Sequence, residues 1–502
     1  MNSMPAAQRG ASWGPSPGAG GRSMPAIRRS VIVGLAMVLA IVAGRLFAGG
    51  HISYGLAILL AVLYGPLVFV NLPVAFAVYV SLLFIEDTTA LGPAPNAIGV
   101  LIVLAWLGTF ITRSTSREIL GEQARLLRVL GAFALWLALT IVWAENAGRA
   151  GEGVFSWLLA MLAFLITLTT LRRGRDVGAI GVAFIAGSIL SVAYGISSGA
   201  LTAVSETSEA ALQGRFTGGG GDPNKAAAGY LIAMFLCAGF WGLAHRRATK
   251  AGLLTAFIVV AIGFFATQSR GGMIALAVAA LTGLAILPGQ RKRLLGLTAA
   301  AGVGLAVIAV VNPAAITRLV GFGGGTSGRN DLWKVAWTVF EKHHWVGIGL
   351  NNFEAVESHF TLLSGTLTRV DLVAETPHLV HNLYLQLLTE TGVVGFLLFL
   401  PVIFFCLRAC WQAAQRFDAN GQRPYADLAR AALMAEIAML SAQFFISDGD
   451  DFRLWVLLAL GPVLLSLARR SAPATAAATA PALRRARPRL GYGLPRAGPR
   501  AR

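Results

Sequence analysis

The chain has 502 residues, of which 56% are hydrophobic and only 13% charged, with a mean hydropathy of +0.68. A soluble chain of this size carries about twice that charged fraction, so a water-soluble globular protein is excluded and a polytopic helical membrane protein is expected. The net charge of +18 does not signal nucleic-acid binding: nine arginines and no acids fall after Ala468, and most other cations sit in short loops between apolar segments, a topological pattern.

Residues 1–30 are rich in Gly, Pro, Ser and Arg, with little to bury, and are expected to be a disordered cytoplasmic lead. Arg28-Arg29 before the apolar run 31–48 has the look of a signal peptide, but further apolar runs follow at once, so an uncleaved first span is expected. Apolar segments recur at about 54–70, 72–86, 97–112, 127–143, 154–171, 177–196, 226–244, 252–268, 271–287 and 294–311, and again at 383–408, 431–447 and 452–468. Several are shorter than the roughly 20 residues that cross a bilayer as helix, so about 12–14 transmembrane helices are expected. The pair around Asn71 and Pro73 reads either as two spans or as a re-entrant hairpin. Cys237, Cys406 and Cys410 all fall inside apolar segments without metal-ligand or disulfide spacing, and read as small packing residues.

Charge sets the expected orientation. With both termini cytoplasmic, 30 of the 41 Lys and Arg lie on the inside, including the short turns RRGRD, HRRATK and PGQRKR, as the positive-inside rule requires. The expected organisation is then a lead 1–30, spans 31–311 with an outer loop 197–225, a large outer loop 312–381 carrying amphipathic helices, closing spans 382–468, and a basic cytoplasmic tail 469–502 that lies on anionic lipids. The outer face also receives the turn TQSRGG and the segment SDGDDFR.

Arginines on that face run against the charge bias, which singles out Arg215, Arg270 and Arg329. In QGRFTGGGGDPN, Asp222 suits an N-cap and Pro223 the first helical position, so a glycine run and Arg215 precede a helix start. Such a start offers backbone N–H groups and partial positive charge to an anion; the plainer reading is a solvated turn. Arg270, at a turn between two helices, either reaches the headgroups or pairs with an anion. In GFGGGTSGRNDLWKVAWTVFEK, Ser327 suits a cap, Arg329 falls in the first turn, and Leu332, Val335, Ala336, Val339 and Phe340 recur at helical spacing. This predicts an amphipathic surface helix with Trp333 and Trp337 as an interfacial aromatic pair.

The loop 312–381 holds five of the seven histidines. His378 and His381, just before the helix from about 383, stand where a histidine accepts a proton near neutral pH, or simply caps a helix. Glu390 and Glu436 lie in apolar runs and are expected to have partners. No zinc motif is present: HExxH is absent and the adjacent His343-His344 cannot share a helix face. Taken together, three arginines, two glycine-rich helix starts and a histidine on one face point to a site for an anionic, lipid-borne substrate.

The turn TQSRGG, the RNDLW helix leading into GIGLNNF, and HNLYLQLLTETGVVG, in that order, resemble the O-antigen ligase/polymerase family of bacterial envelope glycosyltransferases. GRFTGGGGDPN is similar to that family's outer-loop R…PN element, and the likeness covers roughly 200–410. One departure is His343-His344-Trp345, where many members carry a proline before the G-x-G. The resemblance implies an inner-membrane enzyme working at the periplasmic face. Its donor would be a polyprenyl diphosphate-linked glycan and its acceptor a sugar hydroxyl on lipid A-core or on a growing glycan, with no metal and no cofactor. By position, Arg215, Arg270 and Arg329 would grip the diphosphate and His381 would be the general base, with His378 and Glu390 as secondary candidates. Repeat-unit polymerases and protein O-oligosaccharyltransferases of the same family share these motifs. A polysaccharide transporter or flippase is the reading from a different class; it predicts ionisable groups at mid-membrane and internal repeats.

Overall fold

The computed structural model describes, apart from a few isolated residues, 64–86, 94–112, 114–197, 215–219, 221–287, 291–311, 329–356 and 379–471. The expected all-α membrane architecture is the one observed: among the described residues there are helices and turns but no strand. Eight helices are long and apolar enough to cross a membrane, and Leu72–Leu82, Arg270–Ile286 and Leu295–Val311 are shorter apolar helices. The expected runs 31–48 and 54–70 fall largely outside the described residues.

In chain order the labelled helices are α1 (Leu72–Leu82), α2 (Ala94–Thr112), α3 (Ser114–Glu122), α4 (Ala124–Leu139), α5 (Ala147–Thr170), α6 (Gly174–Ser197) and α7 (Pro223–Trp241). They continue with α8 (Arg247–Ala266), α9 (Arg270–Ile286), α10 (Arg291–Val311), α11 (Arg329–Lys342), α12 (Leu383–Ala419), α13 (Arg423–Ala442) and α14 (Phe452–Arg470). Short polar side chains start the helices that matter most for the site. Asp222 caps α7, Ser269 caps α9, Asn382 caps α12 and Asp451 caps α14, each accepting a backbone N–H of the first turn. These four starts are joined to one another by the contacts described below. One end of the bundle therefore collects the positive ends of four helix dipoles.

The core runs through the bundle, with α5, α7, α12, α13 and α14 among its main contributors. Trp455 of α14 packs edge-on against Trp157 and Phe164 of α5, and Phe133 of α4 meets Phe399 of α12 at 5.4 Å. The indole N–H of Trp455, buried among apolar groups, donates to the Gly449 carbonyl at 2.8 Å, so the largest core side chain leaves no polar group unsatisfied. In lipid such a core gains little from removing apolar surface from water, and close packing and satisfied polar groups hold it together.

The helix from about 383 is longer than its apolar run suggests, reaching Ala419 over 37 residues. A continuous helix of that length spans roughly 55 Å, well beyond a hydrocarbon core of about 30 Å. It does not run continuously: Gly392 (φ 68°, ψ −175°) breaks it, leaving a short outer piece that carries the site and a long piece that crosses the bundle.

Candidate functional site

The arginine side is built from two turns, 215–225 and 267–272. The Arg215 guanidinium donates through Nε to the Thr267 carbonyl at 3.0 Å and through Nη2 to Asn224 Oδ1 at 3.0 Å. The Ser269 hydroxyl donates to the same Asn224 oxygen at 2.8 Å, and Ser269 Oγ in turn accepts the Gly272 N–H that starts α9. Arg215 is thereby fixed against the turn that presents Arg270, the exposed first residue of α9. The two glycines after Arg270 answer to close packing, since a Cβ at Gly271 would lie 2.6 Å from the Phe445 ring and one at Gly272 would lie 3.0 Å from Ala227. At the start of α7 the Asn224 and Lys225 amides bond the Asp222 carboxylate, so that helix end is satisfied from within the chain.

The second side is α11 and the residues before α12. Val335, Ala336 and Val339 of α11 are buried against Ile348, Phe353, Val356 and Val380 in a small separate core. The expected Trp pair is divided by this packing. Trp337 is half exposed and its indole bonds Glu341, whereas Trp333 turns inward and donates to the Val380 carbonyl at 3.0 Å. An indole N–H in a partly buried position needs an acceptor, and the carbonyl beside His381 supplies it. Arg329 lies four residues before Trp333 on the same helix face, one turn from the side chain that bonds Val380.

His381 has a left-handed backbone (φ 53°), uncommon for a residue with a side chain. Bonds on both flanks impose it: Trp333 holds Val380, the Asn382 N–H donates to Ser447 Oγ at 3.2 Å, and the Leu383 N–H donates to the Ile446 carbonyl at 2.9 Å. Asn382 then caps α12 through the Tyr384 and Leu385 amides. A residue held in a sparsely populated conformation by several surrounding bonds is a mark of a functional position. His378 and Ser327 lie outside the described residues.

The segment His344–Phe353 packs against α11 and is laid across the break in α12. The Ile348 and Gly349 amides donate to the Thr389 and Glu390 carbonyls at 3.1 and 2.9 Å, and the Val393 amide donates to the His344 carbonyl at 2.8 Å. These bonds occupy the backbone groups that the break at Gly392 releases. The buried Glu390 carboxylate accepts the Asn351 N–H at 2.9 Å, the Phe353 N–H at 3.3 Å and the Gln386 side-chain amide at 3.2 Å. Glu390 thus has the partners expected of it: two backbone amides of the 344–353 strap and Gln386 of its own helix. Glu436, deep between α12 and α13, accepts a hydrogen bond from the Cys410 thiol at 3.2 Å, a contact that the packing role assigned to the cysteines did not foresee.

Sequence reasoning placed SDGDDFR on the same face without giving it a task. In the structure it holds a buried charge network. Lys225 Nζ sits 2.7 Å from Asp448 Oδ1, and Arg453 lies 2.8 Å from Asp451 and 4.0 Å from Asp448, with its guanidinium over the Phe84 ring. Burial, reinforced by Asp451, pushes the Asp448 carboxyl up to about 7. Burial works against ionised Asp451 too, yet Arg453 on top of it holds that carboxyl below the usual range. Three acids within four residues, Asp448, Asp450 and Asp451, carry no sequence signal for this pairing; only the fold brings Lys225 to Asp448.

Arg215, Arg270, Arg329 and His381 therefore belong to one contact-linked end of the bundle, where the helix starts converge. Such an end suits a polyanion beside a proton acceptor. Comparison with known proteins gives a match to the family model described as O-antigen ligase over residues 254–400. The matched stretch includes Arg270, Arg329, His381 and Glu390, while Arg215 and the 446–453 segment lie outside it. No curated protein matches the chain.

Proposed function

We propose that this chain, whose residues 254–400 match the O-antigen ligase family model, transfers a glycan from a polyprenyl diphosphate donor to a sugar hydroxyl at the periplasmic face of the bacterial inner membrane. The observation that carries this reading is the contact path that joins the Arg215–Arg270 turns to His381 and the Arg329 helix. The chemistry follows from those groups. His381 takes the proton of the acceptor hydroxyl as its oxygen attacks the anomeric carbon of the donor. The bond from that carbon to the diphosphate oxygen breaks, and polyprenyl diphosphate leaves with the electron pair. Arg215, Arg270, Arg329 and the converging helix dipoles stabilise the charge that develops on the leaving group, so no metal ion is called for. A positioned base contributes about 100- to 10,000-fold.

Polar groups gathered at one end of the bundle support transfer at a membrane surface over transport through mid-membrane. Glu390, with three donors already on its carboxylate, fits a positioning role. The test is surface glycan in cells carrying only a His381→Ala or Arg329→Ala protein that inserts normally: the reading expects the long-chain glycan to disappear, and unchanged glycan overturns the site assignment. A deletion strain sorts the acceptor. Loss of all long-chain glycan from the core indicates a ligase, a core bearing single repeats indicates a repeat-unit polymerase, and unglycosylated protein indicates a protein O-oligosaccharyltransferase.

A further inference from the structure

We propose that the Lys225–Asp448 ion pair is a positioning link that sets the arginine side of the site against His381; this rests on the reading of the site given above. The two sides come from distant parts of the chain, and both are tied to consecutive residues of the same two short segments. On the arginine side, Asn224 accepts from both Arg215 and Ser269, and the next residue is Lys225. On the histidine side, Ile446 and Ser447 accept the amides of Leu383 and Asn382, and the next residue is Asp448. Lys225 and Asp448 meet at 2.7 Å, with the Asp448 side chain about one-tenth exposed. One ion pair thus stands one residue along the chain from bonds that hold each half of the site.

The rest of the network isolates that pair as the joint. Asp451 and Arg453 are satisfied locally: Asp451 caps α14 through the Arg453 amide at 2.7 Å and grips the same guanidinium at 2.8 Å. That pair would form within α14 alone. Lys225 reaches Asp448 from α7, so this contact reports the placement of α7 relative to the 446–448 turn. Removing the partly exposed Lys225 leaves the buried Asp448 carboxylate without its nearest cation, and the turn moves to solvate it. A displacement of about 1 Å in a catalytic constellation costs roughly 100-fold in rate. The groups facing Asp448 are Lys225 from α7 and Asp451 and Arg453 from its own turn and α14, while Asp450 faces Lys225 and Asp451.

The experiment compares the full-length protein in nanodiscs with Lys225→Met, Lys225→Arg and the exchanged pair Lys225→Asp/Asp448→Lys. Hydrogen exchange at the Asn382 and Leu383 amides reads the link without any assumption about activity. Faster exchange in Lys225→Met, with protection returning in Lys225→Arg or in the exchanged pair, is expected. Wild-type protection in Lys225→Met overturns the link. Glycan transfer from a polyprenyl diphosphate-linked oligosaccharide then reads its consequence: kcat falls tenfold or more in Lys225→Met with donor KM little changed, and recovers in Lys225→Arg. Altered exchange with wild-type kcat overturns the positioning role. A wild-type protein that transfers no glycan overturns the proposed function instead, and the exchange data still decide the link.

Discussion

Replacing Gly392 by alanine is the sharpest test of how the site is mounted. At φ 68° and ψ −175° the backbone occupies a region open essentially to glycine alone, which costs a residue with a side chain about 1–3 kcal/mol. A Cβ there would also lie 2.2 Å from the Trp345 carbonyl oxygen and 2.4 Å from its carbon, both backbone atoms that cannot rotate away. The segment His344–Phe353 must lift, which loosens the Ile348, Gly349 and Val393 hydrogen bonds across the break. At about 1 kcal/mol for each bond, the local cost totals roughly 4–6 kcal/mol. That is enough to open the strap by a thousandfold or more without unfolding the bundle, whose core lies elsewhere. Hydrogen exchange at the Ile348 and Gly349 amides is the assay, with thermal unfolding in detergent as control. Wild-type protection of both amides in Gly392→Ala refutes the account of the break.

Three further outcomes are expected. Glu390→Gln places a side-chain NH2 against one of two buried backbone donors and weakens the strap by about 1–3 kcal/mol. It lowers kcat while leaving the shape of the pH–rate profile intact; a shifted limb makes Glu390 a proton-transfer group. Trp333→Phe removes the bond to the Val380 carbonyl and loosens the His381 turn, seen as faster exchange at Asn382 and a lower kcat. Equal exchange and kcat in the two proteins contradict this. Stability also depends on pH. Asp448, raised from 3.8 to about 7 in the folded protein, contributes stability that is fully present below its unfolded value and is lost as pH rises through about 7. Wild type therefore loses thermal stability between about pH 4 and 7 more steeply than Asp448→Asn, and parallel slopes rule this out.

Much of the fold was legible because a membrane imposes simple rules. Apolar runs became α1, α2, α4–α10 and α12–α14, and caps such as Asp222 and Ser269 stand where short polar residues precede those runs. The residues of the site were legible as anomalies, arginines on the face expected to be poor in cations and histidines gathered in one loop. What the sequence hid depends on contacts between distant segments. TETGVVG reads as uninterrupted helix, and only the strap that crosses it makes Gly392 a break. Trp333 and Trp337 share a helical spacing, so nothing local says that one serves the Val380 carbonyl and the other faces outward. Lys225 looks like an ordinary first-turn lysine until Asp448 is brought to it.

The central claim is that His381 and the three arginines perform glycan transfer without a metal ion. Its most direct test is the purified protein in liposomes with a polyprenyl diphosphate-linked oligosaccharide and candidate sugar acceptors, with and without a divalent-metal chelator. The account predicts product and free polyprenyl diphosphate in equal amounts, unaffected by chelator, with the rate falling at least about 100-fold in His381→Ala. Product that requires a divalent metal, or a His381→Ala protein that works at the wild-type rate, contradicts it.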